Sequence, residues 1–360
     1  MKGVIKSVAA VTLSGCLSLG IGCSKSNQEF EAPDIKMITP ENVHGVIAPD
    51  DNHIWLTGNY GTIFYSPDGG VSWARQESGV KESIIIDGSF INSTTGWLAG
   101  LNGTVLYTTN SGEIWTRQNT ETDKHLLGIC FVDKKHGWAI GEWNTVLRTL
   151  DGGTTWQRMT EETDKILNNI VFINPTTGWL VGERGLIRHT SDGGITWQDQ
   201  KPKKFERASF EEELRNPAPS LFCITFTDKN TGWVCGIDGT IGRTTNGGKT
   251  WSILDSPTDQ TLYTVFVRDA QGWIVGDKGA YLVSVDGGQT WDLKEDVIKT
   301  RLKLRDVFFS SPRKGWVVGA SGTVVNTTDG GGTWEFCSGF SYAMDFFQMP
   351  KVLEFGGGVE

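Results

Sequence analysis

The stretch HTSDGGITW, residues 189–197, reads at first as a glycine loop built to hold a phosphate. Near-copies contradict that reading: YSPDGGVSW (65–73), YTTNSGEIW (107–115), RTLDGGTTW (148–156), RTTNGGKTW (243–251), VSVDGGQTW (283–291) and NTTDGGGTW (326–334). A motif present seven times in one chain reports architecture before it reports a single active site. The final tryptophans, Trp73, Trp115, Trp156, Trp197, Trp251, Trp291 and Trp334, are spaced by 42, 41, 41, 54, 40 and 43 residues. Another tryptophan precedes each by 18 residues: Trp55, Trp97, Trp138, Trp179, Trp233, Trp273 and Trp316. The interior of each unit is therefore constant in length, and the variation falls between units, as expected of rigid cores joined by loops.

Working outward, ILNNIVFINPTTGWLVGERGLIRHTSDGGITWQDQ (166–200) holds four short strands with no helical period between them. The first alternates, with Ile170 and Phe172 on one face. Phenylalanine stands seven residues before the first tryptophan in six units (Phe90, Phe131, Phe172, Phe226, Phe266, Phe309), and Ala48 stands in the other. Units of about 40 residues and four strands are propeller blades. The sequence thus predicts an all-β, seven-bladed β-propeller of four-stranded antiparallel blades. The repeated box S/T-x-D/N-x-G-x-x-W is its turn between third and fourth strands. Asp or Asn there is expected to bond backbone N–H groups two residues on, Gly to supply positive φ, and Trp to anchor the turn between blades. These carboxylates are read as structural.

Closure has two readings. Residues 35–39 (IKMIT) could supply a fourth strand. SYAMDFFQMPKVLEFGGG, near the C-terminus, resembles the start of another unit. These segments either overlap the seam of a seven-blade ring, the favoured reading, or build a truncated eighth blade.

Composition fits a turn-rich β protein: 46 Gly and 15 Trp in 360 residues, 38% hydrophobic. A net charge of −9 argues against nucleic acid as a partner. The N-terminus differs. Lys2 and Lys6 precede an apolar run from Val8 to Ile21, the order of an export signal. Cys16 and Cys23 give it a lipoprotein character. LSGC matches the usual lipobox better, but cleavage before Cys23 leaves the polar leash SKSNQEFE, so Cys23 is preferred for lipidation, with Cys16 the alternative. The chain is therefore read as signal 1–22, tether 23–34 and propeller 35–360. It is expected outside the cytoplasm, on the periplasmic or cell-envelope side, held to the membrane by lipid.

The units GW-V-G…GT…R-T-DGG-TW resemble the propeller family of photosystem II stability and assembly factors. That resemblance covers nearly the whole exported region. It implies a non-catalytic, protein-binding propeller that assists assembly of a membrane complex, and a patch of arginines that receives an unassembled membrane subunit. Arg148, Arg188 and Arg243 occupy comparable third-strand positions here, with Arg188 displaced by one residue and so expected to face the other way.

Two departures from the repeat mark candidate binding residues. Trp143, in GEWNT, sits outside the repeat pattern in a turn where other units carry Lys278 or Arg184. It is either an exposed anchor for a partner or a cap on a neighbouring loop. The 54-residue spacing inserts about 13 residues within 200–220, first basic (Lys201, Lys203, Lys204, Arg207), then acidic (Glu211, Glu212, Glu213). Ser209 reads as a helix cap there. This loop with Glu142, Trp143, Glu183 and Arg184 forms one expected binding face around blades 3 to 5, against the alternative of a solvated loop. Cys223 and Cys235 lie symmetrically about a hairpin turn, open to a disulfide or to two buried thiols. No close His or Cys cluster suggests a metal, and no cofactor is expected.

Propellers with this box include glycosidases. A sialidase needs three arginines, a Tyr–Glu nucleophile pair and an acid. VHGVIAPDDNHIWLTG (43–58) lacks the arginine expected in the first blade. No catalytic residue is assigned, and a carbohydrate-binding or sialidase-like propeller is the alternative reading.

Overall fold

The structure, a computed structural model, describes residues 42–206 and 209–337. All lie within the unit Met37–Glu360. They form 28 strands in seven antiparallel four-stranded sheets, each sheet ordered as the chain runs. The blades span 43–76, 85–117, 126–158, 167–199, 221–253, 262–293 and 304–336. Neighbouring innermost strands contact one another around the ring, and the first strand of blade 1 meets that of blade 7. This is the seven-bladed propeller expected from the repeat. The two proposed closing segments, 35–39 and the C-terminal tail, lie outside the described residues.

The first tryptophan of a blade packs against the next blade, as blades 2 to 4 show. Trp138 of blade 3 is fully buried. Its ring stacks 3.5 Å from Phe172 of blade 4, 4° from parallel. Its Nε1–H donates to the Gly193 carbonyl in the box of blade 4, at 2.9 Å. Trp97 repeats both contacts with Phe131 and Gly152, and Trp179 with Phe226 and Gly247. The box tryptophan closes the other side: Trp156 meets Phe131 of its own blade edge-on at 90°. Its Nε1–H donates to Gln118 Oε1 of the preceding blade, at 3.2 Å. Ring geometry, beyond buried area, thus fixes the blade angle.

Blade 6 departs from the phenylalanine pattern. Its first hairpin turn is one residue shorter, so Phe266 pairs with Trp273 and Val267 takes the core position beside Gly272. Equal spacing in sequence therefore did not mean an equal place in the blade.

The box works with a different division of labour from that expected. The Thr149 hydroxyl takes the Gly153 N–H (2.8 Å) and donates to Asp151 Oδ1 (2.8 Å). The Asp151 carboxylate then accepts the N–H and hydroxyl of Thr155, four residues on, at 2.9 and 2.7 Å. The same donors, led by the Thr196 and Ser72 hydroxyls, bring Asp192 and Asp68 down to about 2.

Asp87 and Asp306, on innermost strands, act between blades. Asp87 Oδ2 accepts Ile129 N–H and Asp306 Oδ2 accepts Val46 N–H, each at 2.9 Å. Burial pushes Asp87 up to about 6 and Asp306 up to about 7. Asn169 makes the equivalent bond to Ile224 N–H at 3.1 Å.

Cys223 and Cys235 are cross-strand partners, as expected. Both are free thiols. No bridge joins them: Cys223 Sγ is directed at the Val265 carbonyl of blade 6, at 3.7 Å.

Candidate functional site

The turns between second and third strands emerge on one face, beside the start of each first strand; Val43 pairs with Gly58 there. These turns share one geometry. In blade 3, Thr145 N–H bonds the Glu142 carbonyl at 3.1 Å, and the two residues between have positive φ, 57° for Trp143 and 53° for Asn144. That is the type I′ hairpin turn, in which Asn-Gly and Asp-Gly are favoured because both central residues are left-handed. Asn102-Gly103 and Asp238-Gly239 obey the preference. Trp143, Tyr60, Arg184 and Lys278 hold bulky side chains in a conformation that disfavours them. Such strain persists where the side chain serves another purpose.

Trp143 is 45% exposed. Lys124 Nζ lies 5.5 Å from its ring centroid, and Arg158 Nη2 donates to its carbonyl at 2.9 Å. Glu162 joins the two cations, at 3.6 Å from Lys124 and 4.0 Å from Arg158.

Beside it, between blades 3 and 4, is a cleft of about 220 Å³ whose lining includes Asp164, Glu183, Arg184, Arg188, Asp199 and Lys201. Arg188 faces away from Arg148 and Arg243, as its one-residue offset requires: it pairs with Leu180, whereas those two pair with tryptophans. Its Nε donates to Asp199 at 2.8 Å and its Nη1 to Asn144 Oδ1 at 3.2 Å. Asn144 thereby ties the cleft to the Trp143 turn. Of the residues expected to bind, Glu183, Arg184 and Arg188 line one cleft, and Trp143 and Glu142 stand on the adjoining turn. Arg148 and Arg243 are elsewhere. Arg243 lies over the Trp233 ring at 5.6 Å, and Arg148 Nη2 would be only 3.0 Å from a Cβ added at Gly193 of the next box.

The insertion is not a loose solvated loop. Phe205 and Ala218 are buried among Trp179, Val181 and Ile187. Ser209 caps the short helix Phe210–Arg215, accepting Glu212 N–H at 3.2 Å. Lys203 and Lys204 lie exposed on a preceding turn. Arg207 falls outside the described residues. Among those residues no cluster of His, Cys, Asp or Glu could hold a metal.

Two residues on this face escaped the sequence reading. Asn144 replaces the glycine found in every other turn (Gly61, Gly103, Gly185, Gly239, Gly279, Gly322), a substitution visible once the turns are aligned. Tyr60, 63% exposed, occupies in blade 1 the position of Trp143.

A family model for photosynthesis system II assembly factor YCF48 matches residues 108–201, 156–252, 203–294, 250–335 and 293–349, together more than half the chain. The chain belongs to this family. Among solved structures, one described as YCF48 bound to D1 peptide is similar with TM-score 0.66 and 22% identity, over 81% of this chain and 93% of that one. YCF48 from Cyanidioschyzon merolae is similar with TM-score 0.65 and 19% identity, over 81% of this chain and 97% of that one. A xyloglucanase of glycoside hydrolase family 74 from Xanthomonas campestris reaches TM-score 0.68 at 11% identity, over 84% of this chain and 55% of that one. At these identities the likenesses concern the fold. A search of curated proteins gave no match. The YCF48 family match thus agrees with the resemblance carried by the GW and DGG-TW units.

Proposed function

We propose that this YCF48-family propeller is an exported, lipid-anchored, non-catalytic assembly factor that holds a peptide segment of a membrane-complex subunit in the cleft between blades 3 and 4. The observation that carries this reading is the Arg188–Asn144 bond, which joins a cleft of mixed charge to an exposed tryptophan on a strained turn. Mixed charge with an aromatic anchor suits a peptide. The peptide-bound YCF48 structure supports the partner class. The non-catalytic reading is supported by the two carboxyls held at the highest values, Asp87 and Asp306: each spends its oxygens on backbone N–H groups of its own and the next blade, not on an open cavity.

Trp143→Asn tests the site. Asparagine accepts the left-handed conformation better, so thermal unfolding should show stability unchanged or raised by about 1 kcal/mol. Crosslinked pull-down from membranes should show partner capture reduced about tenfold or more. A variant that is as stable as the parent and captures the same partner equally well removes Trp143 from the reading.

The anchor has its own test. Cys23→Ser should release the protein from the membrane fraction, and Cys16→Ser should not. The reverse pattern assigns the lipid to Cys16, and retention of both variants ends the lipid-anchor reading.

A further inference from the structure

Each innermost strand carries an irregularity at the same place. Pairing skips one residue near the strand's start in all seven blades, leaving His44, Ile86, Leu127, Asn168, Phe222, Tyr263 and Arg305 unpaired. A bulge re-aims its extra side chain. Because these strands ring the axis, the seven residues encircle the mouth of the central channel on the turn face. All seven are partly exposed. Neighbours meet across blade boundaries, as with the Phe222 and Tyr263 rings, 5.3 Å apart.

The ring has two unlike halves. Ile86, Leu127, Phe222 and Tyr263 make an apolar arc interrupted by Asn168. Arg305 and His44 face it from blades 7 and 1. Near them the carboxylates are already engaged: Asp306 takes the backbone N–H groups of Val46 and Val307, and Asp277 takes the Tyr263 hydroxyl at 3.1 Å and Lys303 Nζ at 3.5 Å. His44 shares a hydrogen bond with Asn59 at 2.8 Å. Among the described residues Arg305 has no ion pair and no side-chain hydrogen bond, and its Nε is buried without a partner. A guanidinium N–H removed from water and left without an acceptor is costly unless a ligand completes it, and the Asp277 carboxylate reaches Arg305 only at longer range. Arg148 and Arg243 also have unpartnered Nε atoms, but they pack against a box and a tryptophan ring. No ring covers Arg305.

We propose that the channel mouth is a second recognition site, in which Arg305 takes a carboxylate of a peptide and the arc of Phe222 and Tyr263 takes the apolar side chain beside it. A planar guanidinium suits a carboxylate because two parallel N–H groups match its two oxygens. The apolar arc favours a peptide over a bare anion, which would leave it unused. The site does not rest on the cleft between blades 3 and 4.

Calorimetric titration of the full chain with three acetylated peptides tests this. One ends in phenylalanine with a free terminus, the second is the same peptide amidated, and the third is amidated with an aspartate beside the phenylalanine. At least one carboxylate peptide should bind about tenfold or more tighter than the neutral one. Arg305→Gln should erase that difference, while Arg188→Gln, in the other cleft, should keep it. Which carboxylate peptide binds tells a chain terminus from an acidic side chain. Equal binding of all three, no binding at about millimolar peptide, or a preference surviving Arg305→Gln overturns the proposal. Should Arg305→Gln fail to fold, the Arg305 Nε–H resonance of the parent serves instead. It should move with a carboxylate peptide and stay with the neutral one; a resonance that ignores both refutes the site.

Discussion

Trp138→Ala should destabilise the ring by about 4 kcal/mol or more in denaturant or thermal unfolding, enough to leave most proteins of this size marginal. Three losses coincide at this residue. The largest side chain in the repertoire leaves a fully buried site, and the hole is walled by two sheets that cannot both collapse into it. The stack on Phe172 goes, a contact worth about 1 kcal/mol beyond its area. The Gly193 carbonyl loses its donor. Trp316→Ala offers the control. Trp316 is just as buried, but blade 1 presents Ala48 instead of a phenylalanine, and the indole N–H has no partner. Its replacement should cost less than that of Trp138, by about 1–2 kcal/mol. Equal losses would mean that volume alone, not the stack and the bond, holds the blades together.

The second large effect is a dependence on pH with its maximum on the acid side of neutral. Asp87 and Asp306 have folded values of about 6 and 7, above the ordinary aspartate value near 3.8. Between about pH 4 and 7 the folded chain therefore keeps protons that the unfolded chain has lost. Stability must fall as pH rises through that window, by on the order of a few kcal/mol for the pair. The box carboxylates act oppositely. Asp68 and Asp192 sit at about 2, so their contribution is present above pH 4 and is lost as pH falls towards 2. Unfolding followed from pH 3 to 8 should peak near pH 4–5. The double variant Asp87→Asn, Asp306→Asn should flatten the neutral limb and leave the acid limb alone, since Asn169 already shows that an amide can make this interblade bond. A parent profile flat from pH 5 to 8 would refute the assignment.

What the sequence disclosed and what it withheld follow from distance along the chain. Hairpins and boxes are local, so alternation, turn residues and the constant 18-residue spacing revealed four strands per unit and seven units. The partner of each first tryptophan is not local. Trp138 stacks on a residue 34 positions on, and only the angle between blades decides that it meets Phe172. Phe266 misled for a related reason: a turn shorter by one residue moves every strand position behind it. At the cleft, Trp143 was legible as a departure from the repeat, and Glu183 and Arg184 as turn residues of the next blade on the same expected face. Asn144 was not, because its meaning lies in an arginine of the next blade. The bulge residues were hidden most completely, since one unpaired residue in a strand leaves no mark on composition or period. Phe205 looked like part of a polar insertion, and its burial depends on a gap beside Gly185 that only the folded ring creates.

Every blade here is a single run of chain, so among the described residues no strand is shared across the junction of blades 7 and 1. That junction is held by a shared hydrophobic cluster, in which Trp316 and Val318 pack among Val43, Val46 and Ala48, and by small clasps: Asp306 to Val46, Asn42 to the Ser321 N–H, and Asp51 to Ser310. Here, as at the junction of blades 5 and 6, the first tryptophan has no phenylalanine of the next blade to stack on. Asn42 lies at this same joint, so any tug on the chain at that residue is delivered to the contacts between blades 7 and 1. Because Arg305 and His44 flank that joint, mechanical load and ligand occupancy at the hub would be felt by the same few residues.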